Sequence, residues 1–262
     1  MNKLAVFALA GLTLCSFCAT TAQATAVTQG TATVHWETLA ITGPISIVSG
    51  QYTATFVESQ LVNTNGASSD TDTSQDWTSS ISAAGAIGND NSSASADTKD
   101  LMSTDNVSAP TATAASPFEL AGSYTSASRY GEYILTADGA VTIEIDYSLV
   151  ASGATEYAGE ISGINVVATL QLYVFGTGPP IDIDVASINT DLLDGSSGNF
   201  LTSGTLAVTF SATQGTTGFF AVEAVANDFA QTSFVPEPTS LALTVLGVVG
   251  IGYRRRRRSC GM

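Results

Sequence analysis

Apolar and polar side chains alternate most cleanly between residues 140 and 151. Val141, Ile143, Ile145, Tyr147 and Leu149 fall on one side, and Thr142, Glu144, Asp146 and Ser148 on the other. A period of two places each set on its own face of a β-strand, one face buried and one wet. Weaker forms of this pattern recur along the chain. Residues 31–41 alternate around Val34, Trp36 and Leu39, Gly43-Pro44 turns the chain into 45–48, and Gly50 turns it into 52–61. Residues 124–136 run up to Asp138-Gly139, a dipeptide that signals a hairpin turn. Residues 164–175 hold enough Val, Leu and Tyr for a central strand, which Gly176, Gly178, Pro179 and Pro180 end. Ile181, Ile183, Val185 and Ile188 predict a short strand with an acidic outer side, and 200–210 and 217–232 complete the set. No sustained 3.6-residue apolar period occurs before residue 240. The pattern predicts an all-β domain over 27–234, an antiparallel β-sandwich of about 8–9 strands for which a jelly roll is one fitting topology.

One stretch departs from the alternation. Residues 63–122 are dominated by Ser, Thr, Ala, Asp, Asn and Gly, with Trp77, Ile81, Ile87, Leu101, Met102, Val107 and Phe118 as isolated larger groups. This composition predicts long surface loops, a weak strand near 77–87, and low order over 98–116. A structureless loop of that length is unusual in a compact domain, so some edge-strand pairing is expected within it.

The two ends of the chain follow different rules. Met1-Asn2-Lys3, the apolar run 4–14, and small residues ending in Ala22-Gln23-Ala24 or Ala24-Thr25-Ala26 have the layout of a signal peptide over 1–26. A lipid anchor on Cys15 or Cys18 does not fit, because Leu14 and Phe17 stand where a small residue should precede the cysteine. At the other end, Val235-Pro236-Glu237-Pro238 is held extended by its prolines. An apolar segment over 239–253 follows. Its core of about 13 residues makes roughly 20 Å of helix, short of a bilayer core of about 30 Å. Five arginines come next, Arg254, Arg255, Arg256, Arg257 and Arg258; they can snorkel to the headgroups and set a cytoplasmic C-terminus. These three parts in this order, over 235–262, resemble the PEP-CTERM sorting signal of proteins exported by Gram-negative bacteria. The resemblance implies passage through the inner membrane, a transmembrane helix before processing, and removal of the tag by an exosortase, a membrane-embedded cysteine-type transpeptidase. It further implies a final place at the cell surface or in the extracellular medium, with exopolysaccharide and biofilm matrix as surroundings.

Setting both ends aside changes the charge. Of the eight basic residues only Lys99 and Arg129 remain, against 22 of the 23 acidic ones, a net charge of −20. Such a surface repels nucleic acid and favours neutral or basic partners and divalent cations. Cys15, Cys18 and Cys260 all fall in the end segments, so the domain has no disulfide and no thiol chemistry.

Candidate chemistry is sparse. Glu144-Ile145-Asp146 puts two carboxylates on one strand face, as some glycoside hydrolases do, but Ser148 and Leu149 stand where a further carboxylate should follow. His35, the one histidine, lies between Val34 and Trp36 with no Gly-x-Ser-x-Gly elbow elsewhere. No catalytic residue is expected and the domain reads as non-enzymatic. Asp70, Asp72 and Asp76 offer oxygen ligands at short spacing, as do Asp182 and Asp184 with Asp191 and Asp194. Ca2+ is the cofactor such clusters would take. Two functional readings remain. One is a surface or matrix protein sorted by an exosortase. The other is a lectin-like carbohydrate binder or weak glycoside hydrolase on the same sandwich. Aromatics and paired carboxylates on one sheet face would favour the second.

Overall fold

The computed structural model describes residues 26–48, 53–109, 112 and 115–233. The expected tag (Val235 to Pro238, the segment 239–253 and the arginines 254–258) lies outside the described residues, as does the expected signal peptide up to residue 25. Among the described residues no helix is long and apolar enough to cross a membrane.

The domain is all-β and antiparallel, with thirteen strands among the described residues where eight or nine were expected. In chain order they are β1 (Ala26–Thr42), β2 (Ile45–Val48), β3 (Ala54–Asn63), β4 (Gly66–Ser74), β5 (Ile81–Ile87), β6 (Asp90–Ala96) and β7 (Leu101–Ala109). There follow β8 (Phe118–Leu135), β9 (Gly139–Ala154), β10 (Ile161–Val174), β11 (Asp182–Leu193), β12 (Ser197–Ala212) and β13 (Thr217–Ser233). One sheet has the order β12-β9-β1-β7-β6-β5 and the other β11-β10-β13-β8-β3-β4, with β2 joined to β8. The two sheets stack as a sandwich.

The extra strands come from residues 63–122. The expectation of long loops there is overturned: β4 to β7 occupy most of the segment, and β7 sits between β1 and β6 inside its sheet. Its inward positions are Leu101, Ser103, Asp105, Val107 and Ala109, all buried. The period of two is present, but two polar members hide it from a hydrophobicity reading. The hairpin expected at Asp138-Gly139 also changes character. The turn forms, but β8 and β9 belong to different sheets, so it carries the chain from one layer to the other.

β9 matches its pattern: Val141, Ile143, Ile145 and Leu149 are fully buried. With Val34, Trp36, Val57, Leu101, Tyr133, Leu170, Leu172 and Phe220 they form the main core between the sheets. A smaller, alanine-rich cluster lies at the other end: Ala26, Leu61, Val107, Ala109, Ala121 and Ala230. Between the two runs a buried polar belt. It includes Thr28, Ser59, Ser92, Asp105, Ser123, Thr125 and Asp228, every one of them buried. Ser59 and Ser92 hydroxyls join across the sheets at 2.7 Å, and Thr125 donates to Asp105 Oδ1 at 3.0 Å.

Both terminal strands are central. β1 lies between β9 and β7, and β13 between β10 and β8. Residue 235, where the expected tag begins, therefore lies two residues beyond a strand that is hydrogen-bonded on both sides.

Candidate functional site on the outer face of the seven-stranded sheet

The register of β13 with β8 and β10 sorts its side chains by face. Phe220, Val222 and Ala224 enter the core, so Phe219, Ala221 and Glu223 point outward. Cross-strand partners share that face. Glu223 stands opposite Ser128 of β8 and Thr169 of β10, and Ser128 stands opposite Phe56 of β3. One row away, Ala221 lies between Gln171 and Tyr130. Tyr173 faces Phe219 in the next row, and Ser126 pairs with Glu58 on the opposite side.

These outward positions are not uniformly wet. Ser126 and Ser128 are each 3% exposed, Thr169 7% and Ala221 9%, although all four face away from the core. Larger neighbours on the same face cover them. The result is a trough in side-chain size along this face: small hydroxyl-bearing residues and Glu223 form its floor, and the larger Tyr124, Tyr130, Phe56, Gln171 and Tyr173 stand around it. Tyr173 and Phe219 stack at 4.3 Å with ring planes 9° apart, while Tyr130 lies 6.5 Å and Phe175 6.0 Å from Phe219. The Tyr173 hydroxyl donates to Gln171 Oε1.

The trough groups also sense one another electrostatically. Burial raises the pKa of Glu223 from its ordinary value. Tyr124 and Tyr173 are raised first by burial, and the Glu223 charge adds to both. Glu58 acts on Tyr124 as well. The two carboxylates flank β8 from β13 and β3, which puts their strands about 10 Å apart at ordinary strand spacing. Flat rings, hydroxyls, an amide and carboxylates on one face suit a ligand with both apolar and hydroxylated surfaces.

The residues singled out from sequence lie elsewhere. Asp70 and Asp72 are on β4, and Asp182 and Asp184 on β11, the outermost strands on opposite sides of the sandwich. Asp70 Oδ2 accepts the N–H of Ala84 on β5 at 3.1 Å. Asp184 Oδ2 accepts from Ala207 N, and Asp182 Oδ2 from Thr209 N, both at 2.8 Å. Asp76 accepts from Thr78 and Ser79, and those bonds hold its carboxyl at about 2. The five aspartates thus spend oxygens on backbone donors. Among the described residues no group of three or more His, Cys, Asp or Glu is placed to hold a metal ion.

Glu144 and Asp146 lie on the outer face of the other sheet, and Asp146 accepts from Thr205 Oγ1 at 2.6 Å. His35 stands opposite Asp146 and pairs with Asp100 at 2.9 Å beside a β-bulge that spans Trp36 to Leu39. The trough was invisible as a site in the sequence, because single aromatics in strands read as core. Phe219-Phe220 held the one available signal: adjacent rings on a strand cannot both be inside.

Comparison with known families places residues 234–258 in the PEP-CTERM protein-sorting motif. The matched span contains Val235, Pro236, Glu237, Pro238 and all five arginines. The comparison with curated proteins returns no match. The motif marks an exported chain with a membrane-anchored sorting signal that an exosortase processes.

Proposed function

We propose that this exported domain is a non-enzymatic surface or matrix protein that holds a neutral polysaccharide in the trough of its seven-stranded sheet. The observation that carries the reading is the set of outward-facing rings at Tyr124, Tyr130 and Tyr173 around a buried floor of Ser126, Ser128 and Thr169. Sugar rings present C–H faces to aromatics and hydroxyls to the polar groups between them. The charge of the domain disfavours a polyanionic glycan. A sorting tag that anchors the chain at the membrane before release would deliver it where exopolysaccharide accumulates. Lysine and arginine are nearly missing from the domain, so nucleic acid is not a partner in this reading.

Affinity electrophoresis through gels containing the producing strain's exopolysaccharide tests it. Wild-type protein should be retarded, and Tyr130→Ala/Tyr173→Ala should migrate freely while keeping its melting temperature within a few degrees. Equal mobility of wild type with and without polysaccharide would sink the glycan reading.

A hydrolase on the same face is the second reading, favoured by Glu223 with a raised pKa and Glu58 across β8. Release of reducing ends that disappears in Glu223→Gln would establish it in place of simple binding.

A further inference from the structure

The polar belt between the two cores contains four buried oxygens with no hydrogen-bond partner among the described residues: Thr28 Oγ1, Asp105 Oδ2, Ser123 Oγ and Asp228 Oδ2. They come from four strands, β1, β7, β8 and β13, two from each sheet. The register brings them to one place. Asp105 stands opposite Gly30 on β1, and Asp228 stands opposite Ser123 on β8. Asp228 reaches across the sandwich to Gly30, where an added Cβ would lie 2.6 Å from its Oδ2. Gly30 is therefore required bare, because the Asp228 carboxylate and the Val166 side chain fill the space a Cβ would take.

The remaining oxygens of the two carboxyls are spoken for. Asp105 Oδ1 accepts from Thr125, and Asp228 Oδ1 accepts the N–H of Asn165 at 3.3 Å. The Thr28 hydroxyl faces Asp228 and the Ser123 hydroxyl faces Asp105, close enough to act on their charge but not in good hydrogen-bond geometry. No cation acts on either carboxyl. Two acids and two hydroxyls, all nine-tenths buried or more, thus aim unpaired oxygens into one region. The further donors there, among the described residues, are the two hydroxyls and the Asp228 backbone N–H, which acts on Asp105, and no cation is present. A shared proton joins two of these oxygens and leaves others without a partner, which is costly for buried groups. A hard cation satisfies all of them and cancels both charges.

We infer that Thr28, Asp105, Ser123 and Asp228 form a buried interlayer site for a divalent, oxygen-seeking cation, with Ca2+ the ion that suits flexible carboxylate and hydroxyl ligands. Ca2+ at this site joins the two sheets beside the end from which the tag leaves. It is separate from the edge aspartates, which are engaged by backbone donors.

Isothermal titration of the purified, chelator-stripped full-length protein with calcium chloride tests the site. One ion per chain should bind, and the melting temperature should rise above that in sodium chloride of equal ionic strength. Asp228→Asn should abolish the heat. Thr28→Val, which keeps side-chain shape and removes one oxygen, should weaken affinity about tenfold. Asp182→Ala/Asp184→Ala should bind as wild type does. If Asp228→Asn does not fold, Thr28→Val carries the decision. Wild-type protein that shows neither heat nor a calcium-specific shift would leave the belt to protons and buried water and overturn the site. Calcium binding unchanged in Thr28→Val would overturn it equally.

Discussion

The Asp182 carboxylate on β11 accepts the backbone N–H of Thr209 on β12 at 2.8 Å, and so ties the outermost strand of one sheet to that of the other. Asp184 repeats the contact two residues on, at Ala207. On the opposite flank Asp70 does the same for Ala84. An open strand edge with free N–H groups invites pairing with another chain. Here carboxylates occupy those donors and add negative charge to the edge, which protects the sandwich on both sides.

Asp182→Ala/Asp184→Ala should therefore destabilise the domain by about 1–3 kcal/mol, the range for partly exposed bonds to a charged acceptor. It should also expose the β12 edge. Denaturant melts and light scattering at rising protein concentration check both effects. The loss should be the same in calcium and in chelator. A deficit that appears only with calcium would return the metal to these aspartates.

Acid should stabilise the calcium-free protein. Burial raises Asp105 to about 7, and burial with the charge of Asp105 raises Asp228 to about 8, both from 3.8. Each is an acid whose charged form the fold disfavours, so the folded state binds more protons than the unfolded chain between about pH 4 and pH 8. Stability then falls as pH rises through that window. In chelator, the melting temperature should be higher at pH 5.5 than at pH 8, and Asp228→Asn should flatten the slope. With calcium bound the order should weaken or reverse, because protons compete with the ion.

How much of this was legible in the sequence depended on whether chemistry and geometry agreed locally. β9 announced itself because its inward positions up to Leu149 are apolar, with Tyr147 the one half-buried member. β7 did not, because Ser103 and Asp105 are inward and buried: Ser103 donates to Ala224 O at 2.8 Å across the sandwich, and Asp105 belongs to the belt. Asp138-Gly139 told where the chain reverses but not which sheet the next strand would join, since turn chemistry is local and layer choice is not. The sorting motif is contiguous and could be read directly. The trough draws on β3, β8, β10 and β13, and only the register shows that Phe56, Ser128, Glu223 and Thr169 are neighbours.

Arg129 presents a buried cation that has no carboxylate in ion-pair contact among the described residues, although the charges of Asp97 and Asp76 act on it from farther away. Its guanidinium lies 4.9 Å from the Trp36 ring, and Nε donates to Thr55 Oγ1 at 3.1 Å. Both terminal nitrogens lack a hydrogen-bond partner among the described residues, and burial lowers the pKa. Replacing a poorly compensated buried charge with an apolar group of similar length is often neutral or stabilising. Arg129→Met should keep or raise the melting temperature, whereas Arg129→Ala should cost about 2–5 kcal/mol through the cavity it leaves. A large loss in Arg129→Met would mean that the charge itself holds this part of the core.

The mature N-terminus should be Thr25. Ala26 is fully buried, pairs with Ala109, and belongs to the small cluster with Leu61 and Ala230. Cleavage after Ala24 keeps it, and cleavage after Ala26 removes the first rung of β1 and opens a void beside Ala109. Intact-mass measurement of the exported protein separates the two. A chain beginning at Val27 would show that the small cluster closes without its first alanine.

Removal of the tag should leave the fold unchanged. β13 pairs with β8 through Ser233, opposite Phe118, and the matched sorting motif starts at the next residue. The strand pairing of the described residues ends before the sequence that an exosortase handles. Pro236→Ala/Pro238→Ala relaxes the extended backbone that the prolines impose, and should leave full-length protein in the membrane fraction of a host with the matching exosortase. The retained and the released forms should then melt at the same temperature once solubilised. Unchanged mass of the exported protein in the double variant would show that the prolines do not guide processing. A lower melting point for the released form would show that residues beyond Ser233 contribute to the domain.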